Sequence, residues 1–160
     1  MVIVLMGVSG VGKTTIGRAL AEELQWRFAD ADDFHSSANI AKMRAGIALT
    51  DEDRAPWLQT LRDAISGWLA SGQNVVLACS ALKASYRQVL LVSSEVKLVY
   101  LHGSFDLIAG RLASRQGHYM NPHLLRSQFD TLEQPKDAVT IDVGQPVEQV
   151  VKQIRATLGV

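Results

Sequence analysis

The sequence lacks the features that mark disulfide-stabilised, membrane-spanning or strongly charged proteins. It has a single cysteine, Cys79, so no internal disulfide can form and a reducing compartment is expected. No apolar run approaches the roughly 18 residues that a membrane-spanning helix needs. The 16 basic residues equal the 16 acidic ones, so no broad charge attracts nucleic acid or an anionic membrane. We therefore expect a cytoplasmic protein with no nucleic-acid or membrane partner, whose basic clusters bind small anions.

What the sequence does contain is an alternation of short apolar runs with longer helical stretches. Strands are predicted at 2–6, 27–30, 74–79, 96–102 and 138–142. Helices are predicted at about 13–25, 36–45, 53–71, 82–92, 104–115, 122–131 and 146–158. This alternation favours an α/β fold in which helices cover both faces of a five-stranded parallel sheet, in one domain spanning 1–160. Ligands of such sheets bind at the carboxyl ends of the strands.

The strongest motif is the run Gly7-Val8-Ser9-Gly10-Val11-Gly12-Lys13-Thr14, which matches G-x-x-x-x-G-K-[ST] without exception. It follows an apolar strand and opens an amphipathic helix, so its glycines can aim backbone N–H groups at one point, at the positive end of a helix dipole. In this motif Lys13 reaches phosphate oxygens and the Thr14 hydroxyl is placed to ligate Mg²⁺. The loop, with the adjacent Thr15, predicts a nucleoside triphosphate site.

Charged residues follow the second and third predicted strands. Asp30, Asp32, Asp33 and His35 come after strand two, where one carboxylate can hold a metal-bound water and another can accept a proton from an attacking hydroxyl. The alternative is that these carboxylates only cap the next helix. After strand three, Lys83, Tyr86 and Arg87 form either an anion site at a helix entrance or a solvated helix face.

Two further arginine positions admit more than one interpretation. Arg111 and Arg115 lie one helical turn apart, before Gly117, which is typical of a mobile lid that lays guanidinium groups across transferring phosphates. Arginines also favour helix C-termini for their dipole alone. Arg54 directly follows the acidic run Asp51–Asp53, where local salt bridges would suffice to explain it.

Taken together, these segments resemble the gluconokinases, small P-loop kinases that phosphorylate D-gluconate on its terminal hydroxyl. The resemblance extends over nearly the whole chain and is most specific in D-x-D-R-x-P-W-L and C-S-A-L-K. The matching segments are 6–14, 30–35, N-I-x-K-M at 39–43, L-x-D-x-D-R-x-P-W-L at 49–58, C-S-A-L-K-x-x-Y-R at 79–87, R-x-G-H-F at 115–119 and S-Q-F-x-T-L-E at 127–133. Position 119 is tyrosine in this sequence, where the motif has phenylalanine.

The resemblance implies ATP and Mg²⁺ as cofactors and D-gluconate as substrate, and it is compatible with a homodimer. Asp32 would hold the acceptor hydroxyl and act as base, Asp30 would support Mg²⁺ through water, and Arg115 would be the arginine of a lid at about 115–125. Arg111 and Gln145 would flank the adenine. The substrate-binding segment would be about 32–58, and the implied gluconate ligands are Asp32, His35, Arg54, Lys83, Arg87, His118 and Gln128.

Three positions depart from the family pattern. Ala31 replaces a usual glycine, Ser36 replaces a proline and is expected to loosen the following helix start, and Leu91 replaces a second arginine. Two other functions are less consistent with the sequence. A shikimate-type kinase is disfavoured because such kinases resemble one another in a glycine triplet at the third strand end. A nucleotide-driven switch would carry an N-K-x-D segment, which this sequence lacks.

Overall fold

The computed structural model describes residues 1–114 and 122–160. Its centre is one parallel sheet with the strand order β2-β3-β1-β4-β5. The strands are β1 (Val2–Met6), β2 (Arg27–Asp30), β3 (Val75–Ala78), β4 (Val96–His102) and β5 (Val139–Asp142). The predicted strands agree with these to within one residue at each end. All five residues of β1 are buried because this strand has a neighbour on either side and helices on both faces.

Helices connect the strands in the alternating order that the sequence predicts. They are α1 (Lys13–Leu24), α2 (Ser37–Arg44), α3 (Asp51–Ala70), α4 (Ala84–Leu90), α5 (Phe105–Ala113), α6 (Pro122–Thr131) and α7 (Val147–Leu158). A short 3₁₀ helix, Ala31–Phe34, follows β2 and was not predicted. Within the two described ranges, no helix is long and apolar enough to cross a membrane.

The core lies in two layers, one on each face of the sheet. Val2, Val4 and Met6 of β1 point to the layer covered by α3, whereas Ile3 and Leu5 point to the layer covered by α1 and α7. This period-two alternation confirms that helices cover both faces. Cys79, just after β3, is buried in the first layer, and its burial raises the pKa of the thiol to about 12, so it stays protonated and unreactive.

The start of α3 is fixed by a capping box. The Thr50 hydroxyl accepts from the Asp53 N–H at 3.1 Å, and the Asp53 carboxylate accepts from the Thr50 N–H at 3.0 Å. Asp53 is also paired with Lys42 of α2 at 2.8 Å. The box places Asp51 and Arg54 in the first turns of α3, at the edge of the sheet where β1, β2 and β3 end.

Candidate active site

The phosphate loop joins β1 to α1 in a conformation that requires glycine. Gly12 is the N-cap of α1 in a left-handed conformation, with φ of 104°. A Cβ on Gly7, where φ is 153°, would lie 2.8 Å from the Leu101 carbonyl oxygen of the neighbouring strand. The loop therefore packs against β4 and turns the N-terminus of α1 towards the space above the sheet edge, where an anion would be stabilised.

Lys13 folds back over this loop. Its Nζ donates to the carbonyl oxygens of Gly7 at 2.9 Å and Val8 at 3.0 Å. Burial lowers the pKa of the ammonium to about 8, against the opposing effects of nearby Cys79, Asp32 and Asp30. The ammonium is thus held at the mouth of the loop with few water contacts, where incoming phosphate oxygens can replace its carbonyl partners.

The two predicted metal ligands lie side by side. Thr14 Oγ1 is 3.4 Å from Asp30 Oδ2, and the other oxygen of Asp30 accepts from the Asp32 N–H at 3.0 Å. Hydroxyl and carboxylate oxygens are the donors that Mg²⁺ prefers. The described part of the chain holds no group of three or more His, Cys, Asp or Glu side chains that could bind a metal. A magnesium ion here would therefore complete its shell with water and phosphate oxygens, as this ion commonly does.

Asp32 lies in the 3₁₀ helix, two residues after Asp30. Partial enclosure by the protein and the neighbouring negative charge of Asp30 raise the pKa of its carboxyl above the ordinary value, while His35 and Lys13 oppose the rise. The residue is nevertheless exposed to solvent. A raised pKa in an accessible carboxylate is suited to accepting a proton from an alcohol.

His35 is held flat against Trp57 of α3. Their ring centroids lie 4.3 Å apart with an angle of 13° between the planes, and the Trp57 Nε1–H donates to the Ala31 carbonyl at 2.7 Å. Burial and the positive charge of Arg54 lower the pKa of His35, against the opposing effect of Asp32. The imidazole is therefore neutral at pH 7 and lies near both Asp32 and Arg54.

One of the three departures from the family pattern has the opposite effect to that expected. The Ser36 hydroxyl accepts from the Asn39 N–H at 3.2 Å and is the N-cap of α2. The expectation that Ser36 loosens this helix start is wrong, because serine supplies a capping oxygen that proline lacks. Asn39 is buried and donates to the Asp53 carbonyl at 2.9 Å, which ties α2 to α3.

Four side chains from α3 and from the start of α4 form what we call the Asp51 cluster: Asp51, Arg54, Lys83 and Tyr86. Lys83 Nζ contacts both carboxylate oxygens of Asp51, at 3.1 and 3.3 Å, and the Tyr86 hydroxyl donates to Asp51 Oδ1 at 2.5 Å. Arg54 donates to that hydroxyl at 3.3 Å and to the Leu49 carbonyl at 2.8 Å. The predicted ligands Arg54 and Lys83 are thus brought together, through a tyrosine.

Arg87, also predicted as a substrate ligand, lies elsewhere. It is buried, and its guanidinium donates to the carbonyl oxygens of Ala81 at 2.8 Å, Leu82 at 3.0 Å and Glu133 at 2.8 Å. These contacts join the segment after β3 to the end of α6. We therefore leave Arg87 out of the substrate site proposed below.

Gln128 of α6 is turned towards the phosphate loop. Its side-chain oxygen accepts from the Ser9 N–H at 2.7 Å, and its side-chain nitrogen donates to the Ser9 hydroxyl at 2.9 Å. This double contact spans 119 residues of sequence and leaves the amide with partners at both ends. Gln128 therefore supports the nucleotide loop in this structure.

A cavity of about 410 Å³ adjoins the far side of the phosphate loop. Both predicted adenine neighbours, Arg111 and Gln145, line it together with Thr15, and Arg111 donates to the Val143 carbonyl at the same place. Its other lining residues are Gly10, Val11, Gly12, Ile16, Ser114, Pro146, Val147 and Val150. A largely apolar pocket beside the loop glycines is of the kind that accepts a nucleoside base.

Two predicted residues, Arg115 and His118, lie outside the described residues, as does most of the predicted lid. Conversely, the sequence patterns gave no role to Asp51, and they placed Tyr86 in a possible anion site without indicating its contact with Asp51. Both lie in motifs quoted above, but they are 35 residues apart, and only the packing of α3 against α4 shows that they share a hydrogen bond.

Comparisons with known proteins find relatives among small kinases. The family model described as shikimate kinase matches residues 9–158. The thermosensitive gluconokinase of Escherichia coli (strain K12) is 43% identical, over 95% of this chain and 84% of that protein. The solved structure of a gluconokinase from Sinorhizobium meliloti 1021 is 45% identical, with a TM-score of 0.87 over 98% of this chain and 90% of that one.

A more distant similarity concerns the fold alone. The shikimate kinase of Aquifex aeolicus is 21% identical with a TM-score of 0.64, over 99% of this chain and 96% of that one, so this comparison shows only the shared fold. The fold and the phosphate loop define a P-loop kinase. Within that class, the chain belongs to the gluconokinase family.

Proposed function

We propose that this protein transfers the γ-phosphoryl group of ATP to the terminal hydroxyl of D-gluconate, in the cytoplasm and with Mg²⁺. The observation that supports the proposal is the presence of three groups at one edge of the sheet. A phosphate loop with its lysine, a carboxylate with a raised pKa and a cluster that holds a carboxylate all lie at the carboxyl edge of the sheet. Phosphoryl transfer to a hydroxy acid can use one group for the phosphates, one for the acceptor proton and one for the acid.

In this proposal the nucleotide lies along the phosphate loop. The adenine enters the 410 Å³ cavity beside Arg111 and Gln145, and the phosphates meet the loop N–H groups, the α1 N-terminus and Lys13. Mg²⁺, when bound by Thr14 and through water by Asp30, would neutralise charge on the phosphates. Lys13 would hold the negative charge that grows on the transferring group.

In this proposal the acceptor lies on the side of Lys13 that is opposite the nucleotide. Asp32 would accept the proton of the gluconate hydroxyl, and His35, neutral and stacked on Trp57, would form the wall between Asp32 and Arg54. Lys83, Arg54 and Tyr86 would bind the gluconate carboxylate. Arg115 and His118 stay predictions that rest on the resemblance alone, as do the lid and the homodimer.

The reaction is tested by identifying its product. The protein is incubated with ATP, Mg²⁺ and D-gluconate, and the new phosphomonoester is examined by proton-coupled ³¹P NMR. A signal split by two protons shows a phosphate on the terminal CH₂ group, whereas splitting by one proton would place it on a secondary hydroxyl. No new phosphomonoester would refute the proposal.

A shikimate-type activity is the second candidate, because the family model that matches carries that description. Its discriminating feature is the third strand end, where this chain has Cys79-Ser80-Ala81-Leu82-Lys83 in place of a glycine triplet. Shikimate offered as the acceptor in the same assay decides between them, since a secondary ring hydroxyl gives a different ³¹P splitting pattern.

Replacing Lys83 by Ala is expected to raise the KM for gluconate by about tenfold or more, because a charge-assisted contact is lost. The loss is increased by Asp51, which then faces the substrate carboxylate without its cation. The expected change in kcat is smaller, since Lys83 acts on binding in the ground state and the transition state alike. Initial rates over a range of gluconate concentrations measure both constants. A KM for gluconate within twofold of the parent would mean that Lys83 lies on a solvated helix face and does not bind the substrate.

Replacing Gln128 by Ala leaves the Ser9 N–H of the phosphate loop without its protein partner. We expect the KM for ATP to rise by about three- to tenfold, the effect of one lost hydrogen bond of about 1 kcal/mol, with little change in the KM for gluconate. The matched control is Ser127→Ala, at an exposed neighbouring position on α6. A larger effect on gluconate than on ATP would instead support the substrate role that the resemblance implies.

A further inference from the structure

The Asp51 cluster brings a carboxylate to the donors that the proposed substrate needs. Lys83 contacts both oxygens of Asp51, and Tyr86 donates to one of them. Arg54 reaches the same tyrosine hydroxyl. In the proposed function these three donors bind the carboxylate of gluconate, yet in this structure two of them, Lys83 and Tyr86, bind the carboxylate of an aspartate on the same chain.

We propose that Asp51 is a specificity-determining residue: its carboxylate occupies the Lys83 and Tyr86 donors until a substrate carboxylate displaces it. This inference rests on the proposed function and adds to it a residue with a competing role. The other acidic groups nearby do not share that role. Asp53 is bound to Lys42 and to the α3 capping box, and Glu52 has no contact with Lys83 or Tyr86 among those described.

The exposure of the pair favours displacement. The side chain of Asp51 is 61% exposed and that of Lys83 is 33% exposed, so Asp51 lies on the solvent side of the lysine. Ion pairs with this much solvent contact contribute little to stability. A hydroxy acid that brings a carboxylate and several hydroxyls can therefore replace Asp51, and Asp51 can turn towards water.

The charge balance explains what Asp51 would exclude. Without it, Arg54 and Lys83 would present two positive charges beside a hydroxyl at the open cleft, a general site for small anions. The hydrogen bonds from Tyr86 and Lys83 hold the pKa of Asp51 below its ordinary value, so the carboxylate competes throughout the neutral pH range. A simple anion such as inorganic phosphate must then compete with Asp51 without the hydroxyl contacts that gluconate makes.

The test uses Asp51→Asn, which keeps the shape and removes the charge. Because its KM for gluconate reflects binding without a competitor, we expect that KM to fall by about three- to tenfold at a similar kcat. Inorganic phosphate should become a stronger competitive inhibitor against gluconate by a similar factor. Glu52→Gln, in the same helical turn and exposed, is the matched control for charge loss near the α3 N-terminus, with both constants unchanged.

A double-mutant cycle separates competition at Lys83 from any structural effect. In the Lys83→Met background, adding Asp51→Asn should change the inhibition constant for phosphate by a smaller factor than it does in the parent, because one of the two contested donors is gone. A gluconate KM that stays the same or rises in Asp51→Asn would refute the competing role of Asp51. Absence of gluconate-dependent turnover in the parent would refute the proposed function instead, so the two failures are distinguishable.

Discussion

Replacing Asp32 by Asn is expected to lower kcat for gluconate phosphorylation by about 10²- to 10⁴-fold, the usual contribution of a positioned general base. Asn keeps the shape of the side chain but cannot accept a proton. The raised pKa of Asp32, caused by enclosure and by Asp30, supports its role as the group that takes the proton. ATP affinity should stay within about twofold of the parent, because the proposed nucleotide contacts lie on the loop and on Lys13.

The control for this variant is Asp33→Asn, which neutralises the adjacent exposed carboxylate in the same 3₁₀ helix. Its kcat should stay within about twofold of the parent, since Asp33 lies outside the proposed machinery. Single-turnover kinetics measure the chemical step, and calorimetric titration measures ATP binding. If Asp32→Asn reduced ATP affinity while the chemical step was retained, Asp32 would belong to the metal site.

Replacing Lys13 by Ala is expected to lower kcat/KM for ATP by about 10²- to 10³-fold, as is typical when one charge-stabilising donor is removed. The ammonium donates to the loop carbonyls of Gly7 and Val8, which holds it at the site proposed for the phosphates. The melting temperature should not fall, because the variant also removes the unfavourable burial of a charge, which the lowered pKa of about 8 reflects.

Initial rates and a thermal melt of the same samples test both parts of this prediction. Arg18→Gln, an exposed cation on the same helix, is the control, and its kcat/KM for ATP should stay within about twofold of the parent. A decrease confined to the melting temperature would make Lys13 a structural residue. An equal loss in both variants would mean that the overall charge of α1, and not the position of Lys13, governs activity.

Features encoded within short segments could be predicted from sequence. The phosphate loop is such a feature, because its glycines, its lysine and the strand and helix around it occupy adjacent positions. The topology then brings strand ends together, which is why Asp30 lies beside Thr14 as expected. The 3₁₀ helix after β2 was missed since four residues contain too little periodicity to predict it.

Contacts between distant segments could not be predicted in the same way. The i, i+4 spacing of Lys83 and Arg87 does not show that one faces the cleft while the other is buried against the end of α6. The pairing of Gln128 with Ser9 depends on how α6 packs beside the phosphate loop. The hydrogen bond between Asp51 and Tyr86 likewise depends on α3 packing against α4. Each requires the three-dimensional packing of helices, which no local pattern encodes.

The most direct test of the account is ADP release from ATP and Mg²⁺ with D-gluconate, with shikimate or with no acceptor, using Lys13→Ala as the blank. The account predicts ADP release that depends on gluconate and is absent with shikimate. Equal ADP release without any acceptor would contradict it, because the cleft would then activate water, and the roles proposed for Asp32, Lys83 and Arg54 would fail together.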